Sequence, residues 1–212
     1  EQILPNAEHY DAADEFPEPI VEQMKELGLF GVTIPEEYGG MGLDLTTYAM
    51  IVEELSRGWI SISGVVNTHF IGSYLLMKFG TDEQKDQFLP RMAGGELRAA
   101  FSLSEPEVGS DVQGIKAVAT RTDDGDWELN GQKMWVTNGL MSGVVFVLVN
   151  LDGFARLVDA LAVGALFEVI FEGREICRAE FRNEIVRDRR GLFSRRSSAE
   201  LALCSPYSDY AS

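Results

Sequence analysis

AAFSLSEPEVGSD, residues Ala99 to Asp111, and KMWVTN, residues Lys133 to Asn138, decide how this chain is read. In the first, a short apolar strand ends in small hydroxyl residues, then Glu105-Pro106, then a Gly109-Ser110-Asp111 turn. Such a run supplies backbone N–H groups and hydroxyls where an anion or a ring edge can sit. The second places an indole, a β-branched residue and a hydroxyl on one short strand, which suits contact with a flat polar ring.

Around these stretches, the chain of 212 residues is 45% hydrophobic and can bury a core in one or two domains. Its net charge of −16 argues against nucleic acid and anionic membrane surfaces as partners. A run of about 18 apolar residues is lacking, so no transmembrane helix and no membrane insertion are expected. The first residues, EQILPNAEHYDAADEF, are acidic and lack an apolar core, so they do not read as a signal peptide. Cys177 and Cys204 lack metal-site spacing and cannot build a disulfide framework. The expectation is a soluble intracellular protein, cytoplasmic or, in a eukaryote, in the mitochondrial matrix. No GxGxxG follows a strand and no GxxxxGK occurs, so nicotinamide and nucleoside-triphosphate folds have no support.

Composition shifts near residue 150. Residues 1–150 hold nine Lys+Arg against 24 Asp+Glu, whereas 151–212 hold nine Arg, no Lys and ten Asp+Glu. The shift marks a second domain or a segment of different origin.

The first hundred residues read as helices. Ile20, Met24 and Leu27 recur at helical spacing after Pro19, with Gly28 as the residue closing that helix. Thr46 or Thr47 caps a helix in which Tyr48, Ile51, Val52 and Leu55 share a face. The segment Ile60 to Phe79 ends at Gly80. Thr81 and Gln84 then form a capping box, and Gly94-Gly95 stop the last helix. His69 reads as a core histidine, and Lys85 and Arg91 as a solvated face. From Arg98 the pattern becomes strand-like, with Asn130-Gly131 as a hairpin turn and Val144 to Val149 as a buried strand. Helices followed by strands indicate an α+β fold: an N-terminal all-α domain, then an antiparallel β-barrel or sandwich.

Four stretches, in order, resemble the acyl-CoA dehydrogenase family. LGLFGVTIPEEYGGMG (Leu27 to Gly42) and FGTDEQKDQFLPRMAGGE (Phe79 to Glu96) resemble segments of its helical domain. The two stretches quoted first resemble its flavin-binding strands. Together they cover about residues 10–150. The resemblance implies a helical domain over 1–97, part of a flavin-binding β-domain over 98–150 and an atypical tail over 151–212, so that the family fold is truncated. Within the tail only RRSSAEL (Arg195 to Leu201) resembles the family, at the end of its β-domain. The segment between Asn150 and Arg195 shows no family pattern, and 151–195 are not expected to rebuild the β-domain. A disrupted reading frame and a diverged tail are both open.

By resemblance, the cofactor is FAD. Phe101, Ser102, Leu103 and Ser104 run along the flavin, with Leu103 main-chain groups and the Ser104 hydroxyl reaching its pyrimidine edge. Gly109 allows close approach, and Ser110 lies near the pyrophosphate and the bound acyl-CoA. Asp111 fixes the turn, and Val108 stands where many relatives carry a smaller residue. Trp135, Val136 and Thr137 pack on the flavin, with the Thr137 hydroxyl toward N5; the competing reading makes Trp135 a core aromatic.

The implied reaction is α,β-dehydrogenation of an acyl-CoA to a trans-2-enoyl-CoA, with electrons passed to an electron-transferring flavoprotein by a homo-oligomer. The family's catalytic Glu lies in a C-terminal helical bundle with no counterpart in this sequence, so no catalytic base and no metal ligand are assigned. The chain alone is expected to be inactive. The alternatives are a catalytically incompetent flavin- or acyl-CoA-binding fragment and an unrelated α+β adaptor.

Overall fold

A computed structural model describes residues 2–121, 123, 127–151, 168–169 and 178–186. The chain divides into two units, Glu1–Ala100 and Phe101–Ser212.

The first unit is helical: α1 (Ile3–Ala13), α2 (Glu18–Glu26), α3 (Leu45–Gly58), α4 (Ile60–Phe79) and α5 (Asp82–Ala93). In α2, Pro19 occupies the first turn, where a missing N–H costs nothing. Ile20, Val21 and Met24 are buried, but Leu27 is 65% exposed, which corrects its place in the apolar stripe. The cause is local: Leu27 is already the C-cap, and the chain turns at Gly28 with φ +70°. There the Leu29 N–H donates to the Met24 carbonyl and the Gly28 N–H to that of Lys25, the paired bonds that close a helix on a left-handed glycine.

Helix α3 is capped by Asp44, not by either threonine. The Asp44 carboxylate accepts from the Thr47 N–H at 2.8 Å, and this bond holds its carboxyl below the usual range. Tyr48 and Leu55 of α3 are buried, with Ile51 and Val52 packed on the same core as Ile62, Val65 and Val66 of α4. By length and composition α4 could cross a bilayer, a feature that counting uninterrupted apolar runs passed over. Half of its apolar window is nevertheless buried within the protein, and it packs against α3 and α5. His69 of α4 is a core residue as expected, edge-on to Phe30 at 5.1 Å. Arg91 is exposed, while Lys85 is half-buried and 3.6 Å from Asp82.

Thr81 and Gln84 form the reciprocal box expected of them: Gln84 N–H to Thr81 Oγ1, and Thr81 N–H to Gln84 Oε1. Thr81→Ala should destabilise the helical unit by about 1 kcal/mol, read as a lower urea midpoint at unchanged slope. Helix α1 was not anticipated. It buries no residue fully, and its Tyr10 stacks on Trp59 at 6.2 Å.

Strand β1 (Ala99–Ser102) leads into the second unit, which contains β2 (Val118–Arg121), β3 (Trp127–Met134), β4 (Val144–Val147), β5 (Asn150–Leu151), β6 (Glu168–Val169) and β7 (Arg178–Val186). One sheet has the order β1-β4-β6 and the other β5-β2-β3-β7. The pairs β2/β3, β3/β7 and β4/β6 are antiparallel, but the short pair β2/β5 is parallel. Every residue of β4 is buried, as its apolar run requires.

Asn130-Gly131 is not a hairpin turn. Both residues lie within β3, which pairs with the preceding β2 in the register Ala119↔Leu129. Gly131 marks an irregularity in the β3/β7 register. A Cβ there would lie 2.6 Å from Ala117 Cα, so the glycine serves close strand passage and a bulge.

The segment after residue 150 also departs from expectation, because β6 and β7 pair with β4 and β3. Unpaired strand edges are a liability that such pairing removes. Cys177, Cys204 and RRSSAEL lie outside the described residues.

Candidate functional site

Beyond Ser102 the chain leaves β1, and Leu103 and Ser104 are half-buried. Glu105 and Val108 exchange both backbone bonds, at 2.8 and 3.1 Å, so Pro106-Glu107 form the tip of a tight turn. Val108 is buried against this turn. Gly109 and Ser110 are exposed, and a Cβ on Gly109 would meet nothing within 4 Å. The space beside it is open. Asp111 supports the next turn through its carbonyl, which accepts from the Gly114 N–H at 3.1 Å.

The two decisive stretches lie side by side. The Met134 N–H donates to the Ser104 carbonyl at 2.8 Å. Only Lys133 and Met134 belong to β3; Trp135 to Asn138 form a turn, correcting the single strand expected there. Trp135 has φ +59° and Asn138 φ +65°. The Thr137 N–H donates to the Trp135 carbonyl and the Gly139 N–H to that of Val136. A left-handed backbone at a bulky residue costs about 1–2 kcal/mol, so the neighbouring bonds must hold it there.

Trp135 is 73% exposed, which rules out the core-aromatic reading. Val136 beneath it is buried, and Thr137 is exposed. On the first stretch Phe101 is half-buried and Ser102 buried, with the Ser102 carbonyl taken by the Leu148 N–H. Among the described residues the Leu103 and Ser104 N–H groups and the Ser104 and Thr137 hydroxyls have no hydrogen-bond partner.

Under this surface sits an ion pair that sequence reasoning missed. Lys133 has a side chain with 0% exposure, 2.9 Å from Glu105, whose side chain is 4% exposed. The Glu105 carboxylate also accepts from the Lys116 N–H at 2.8 Å and the Ala117 N–H at 3.0 Å. Lys133 Nζ donates additionally to the Leu103 carbonyl at 2.8 Å. Burial pushes the Glu105 pKa up, but the Lys116 N–H, Lys133 and the Ala117 N–H together outweigh it and leave it below the usual range. Burial lowers that of Lys133, against the pull of Glu105. One signal was available. Alternation along β3 puts Lys133 on the face of buried Leu129, where a lysine needs a partner.

A helical unit followed in sequence by a β unit that presents this surface defines the class; comparison with known proteins gives the family. "Acyl-CoA dehydrogenase, N-terminal domain" matches residues 1–96 and "Acyl-CoA dehydrogenase, middle domain" matches 100–165. The chain belongs to the acyl-CoA dehydrogenase family. The second match runs past residue 150, so the family pattern continues into the segment thought to lack it.

Similar proteins include (2S)-methylsuccinyl-CoA dehydrogenase of Cereibacter sphaeroides, 37% identical over 72% of this chain and 28% of that protein. Another is the mitochondrial short-chain specific acyl-CoA dehydrogenase of Bos taurus, 39% identical over 71% of this chain and 37% of that one. Among solved structures, an acyl-CoA dehydrogenase complexed with FAD from Bacillus anthracis is 32% identical, with TM-score 0.72, over 87% of this chain and 34% of that chain. The chain thus spans well under half the length of these relatives.

Proposed function

We propose that this chain binds FAD on the surface formed by Leu103–Ser104, Gly109–Ser110 and Trp135–Thr137, and presents it for α,β-dehydrogenation of an acyl-CoA. The observation that carries this is Trp135: an exposed indole in a strained backbone conformation, beside donors that no described residue satisfies. Strain of this kind persists where the surroundings hold it, and it clusters at ligand sites. The unpaired N–H and hydroxyl donors suit the polar edge of a flavin, and the indole suits its plane. The open space at Gly109 admits a phosphate or the acyl-CoA beside Ser110.

Bound there, FAD would supply the hydride acceptor that α,β-dehydrogenation of an acyl-CoA requires. The residues of this chain bind and orient: Leu103 and Ser104 hold the ring edge, Trp135 excludes water from one face, and Thr137 donates to the reactive side. Electron-transferring flavoprotein is the partner we assign for reoxidation. No residue of this chain is assigned as the base. Turnover by the 212-residue protein is therefore expected to fall about 10²–10⁴-fold short of a complete enzyme.

Titrating the purified chain with FAD, followed by quenching of flavin fluorescence, tests the reading. Saturable one-to-one binding is expected, weakened about tenfold by Trp135→Ala. Absence of binding by the wild-type chain would overturn it. An assay with acyl-CoA and an artificial electron acceptor then tests the missing base: turnover at a complete enzyme's rate would show that the chain supplies one.

A further inference from the structure

We propose that Lys133, held by Glu105, is a positioning residue for the cofactor surface: its ammonium polarises the Leu103–Ser104 peptide and makes the Ser104 N–H a strong, outward-directed donor. The inference rests on the reading of Leu103–Ser104 as the edge that meets the flavin.

The geometry has three parts. First, Lys133 Nζ donates to the Leu103 carbonyl at 2.8 Å from a position without solvent exposure. That carbonyl and the Ser104 N–H belong to one peptide unit, and in a trans peptide the two groups point in opposite directions. A carbonyl drawn toward the buried ammonium therefore aims the Ser104 N–H away from it. Second, an ionised donor in a low-dielectric setting strengthens the bond, and bonds in a chain polarise one another. Drawing electron density toward the Leu103 oxygen makes the Ser104 N–H more acidic. Among the described residues that N–H has no partner, so none of them uses the added donor strength.

Third, Glu105 fixes the lysine. Its carboxylate is anchored by two backbone N–H groups, Lys116 and Ala117, so it is a rigid counter-charge. The same turn returns the chain through the Glu105–Val108 exchange, and Met134, next to Lys133, takes the Ser104 carbonyl. Both faces of Ser104 are thus set by β3: one peptide by the Lys133 side chain, the next by the Met134 backbone. A stronger donor at the ring edge stabilises negative charge developing on a flavin as it is reduced, so Lys133 bears on reduction as well as on binding.

A lone buried charge can prevent folding, so the test pairs Lys133→Met with the double variant Glu105→Gln/Lys133→Met. The double variant removes both charges and keeps one of the two side-chain oxygens that accept from the Lys116 and Ala117 N–H groups. In the flavin-free protein the ¹⁵N resonance of Ser104 should move while resonances of the helical unit stay in place. FAD should bind about tenfold more weakly or worse, the scale of a lost charge-assisted bond. The midpoint potential of whatever flavin binds should become more negative. A purely structural ion pair would leave that potential, and the Ser104 resonance, where they are in the folded double variant. Unchanged resonance, affinity and potential would overturn the proposal. If the wild-type chain itself binds no FAD, the proposed function fails; the Ser104 resonance still decides whether Lys133 polarises the peptide.

Discussion

Gly40→Ala is expected to destabilise the helical unit by about 3 kcal/mol, at the upper end of overpacking costs. A Cβ at this position would lie 2.6 Å from the Ile34 carbonyl carbon and 2.7 Å from the Gly31 carbonyl oxygen, both backbone atoms. Nothing there can rotate away. The loop must open, and the bonds that close it run through the same residues: Met41 N–H to the Gly31 carbonyl and Gly42 N–H to that of Ile34, each at 2.8 Å.

Two other glycines separate this steric cause from general glycine effects. Gly39 has φ +81° but open space around a Cβ, so Gly39→Ala should cost only about 1–2 kcal/mol of backbone strain. Gly64 lies inside α4 with nothing near a Cβ, so Gly64→Ala should stabilise by about 0.5–1 kcal/mol. Urea unfolding followed by helical circular dichroism gives all three. An order other than Gly64→Ala, Gly39→Ala, Gly40→Ala from most to least stable would mean that this loop is not packed as described.

Features set by neighbouring residues were legible in the sequence; features set by distant contacts were not. The Thr81 box, the Gly28 helix end and the bounds of α4 each depend on residues within a turn of one another. The cap of α3 was misplaced by two or three residues because Asp44, Thr46 and Thr47 are all competent caps. Only backbone direction chooses among them. Asn130-Gly131 misled for a different reason. The dipeptide is a strong turn signal, but Ala117, distant in sequence, is what forbids a side chain at residue 131.

The candidate site divides along the same line. Leu103, Ser104 and Trp135–Thr137 could be singled out from residue type and family order, and the structure brings the two stretches within one hydrogen bond of each other. That Trp135 stands on a left-handed turn was not legible, since it follows from Ser104 and Lys133 pinning the end of β3. The Glu105–Lys133 pair escaped because each residue reads locally as surface charge. Burial of both is a property of the packed sheet.

Acid should destabilise the helical unit through His69. Its Nδ1 accepts from the Ala99 N–H at 3.1 Å, so the ring is neutral with its proton on Nε2. Burial, aided by the charge of Arg98, drives the pKa down to about 4 from the ordinary 6.5, against the backbone carbonyls of Met92 and Phe30. Between those values the unfolded chain binds a proton that the folded one does not. Stability therefore rises with pH across this window: it is fully present above about 6.5 and lost progressively toward pH 4. At about 1.4 kcal/mol per unit, the loss at pH 4 is about 3 kcal/mol. Glu105 acts with the same sign but in the β unit, and at lower pH, because its folded pKa lies below the ordinary carboxylate value. Helical circular dichroism in urea, repeated between pH 7 and pH 4, isolates the histidine. His69→Gln, which keeps an acceptor for the Ala99 N–H but cannot take up the charge, should flatten the dependence over this window. A wild-type midpoint that does not move between pH 6.5 and 4 would mean that His69 is not held neutral in the core.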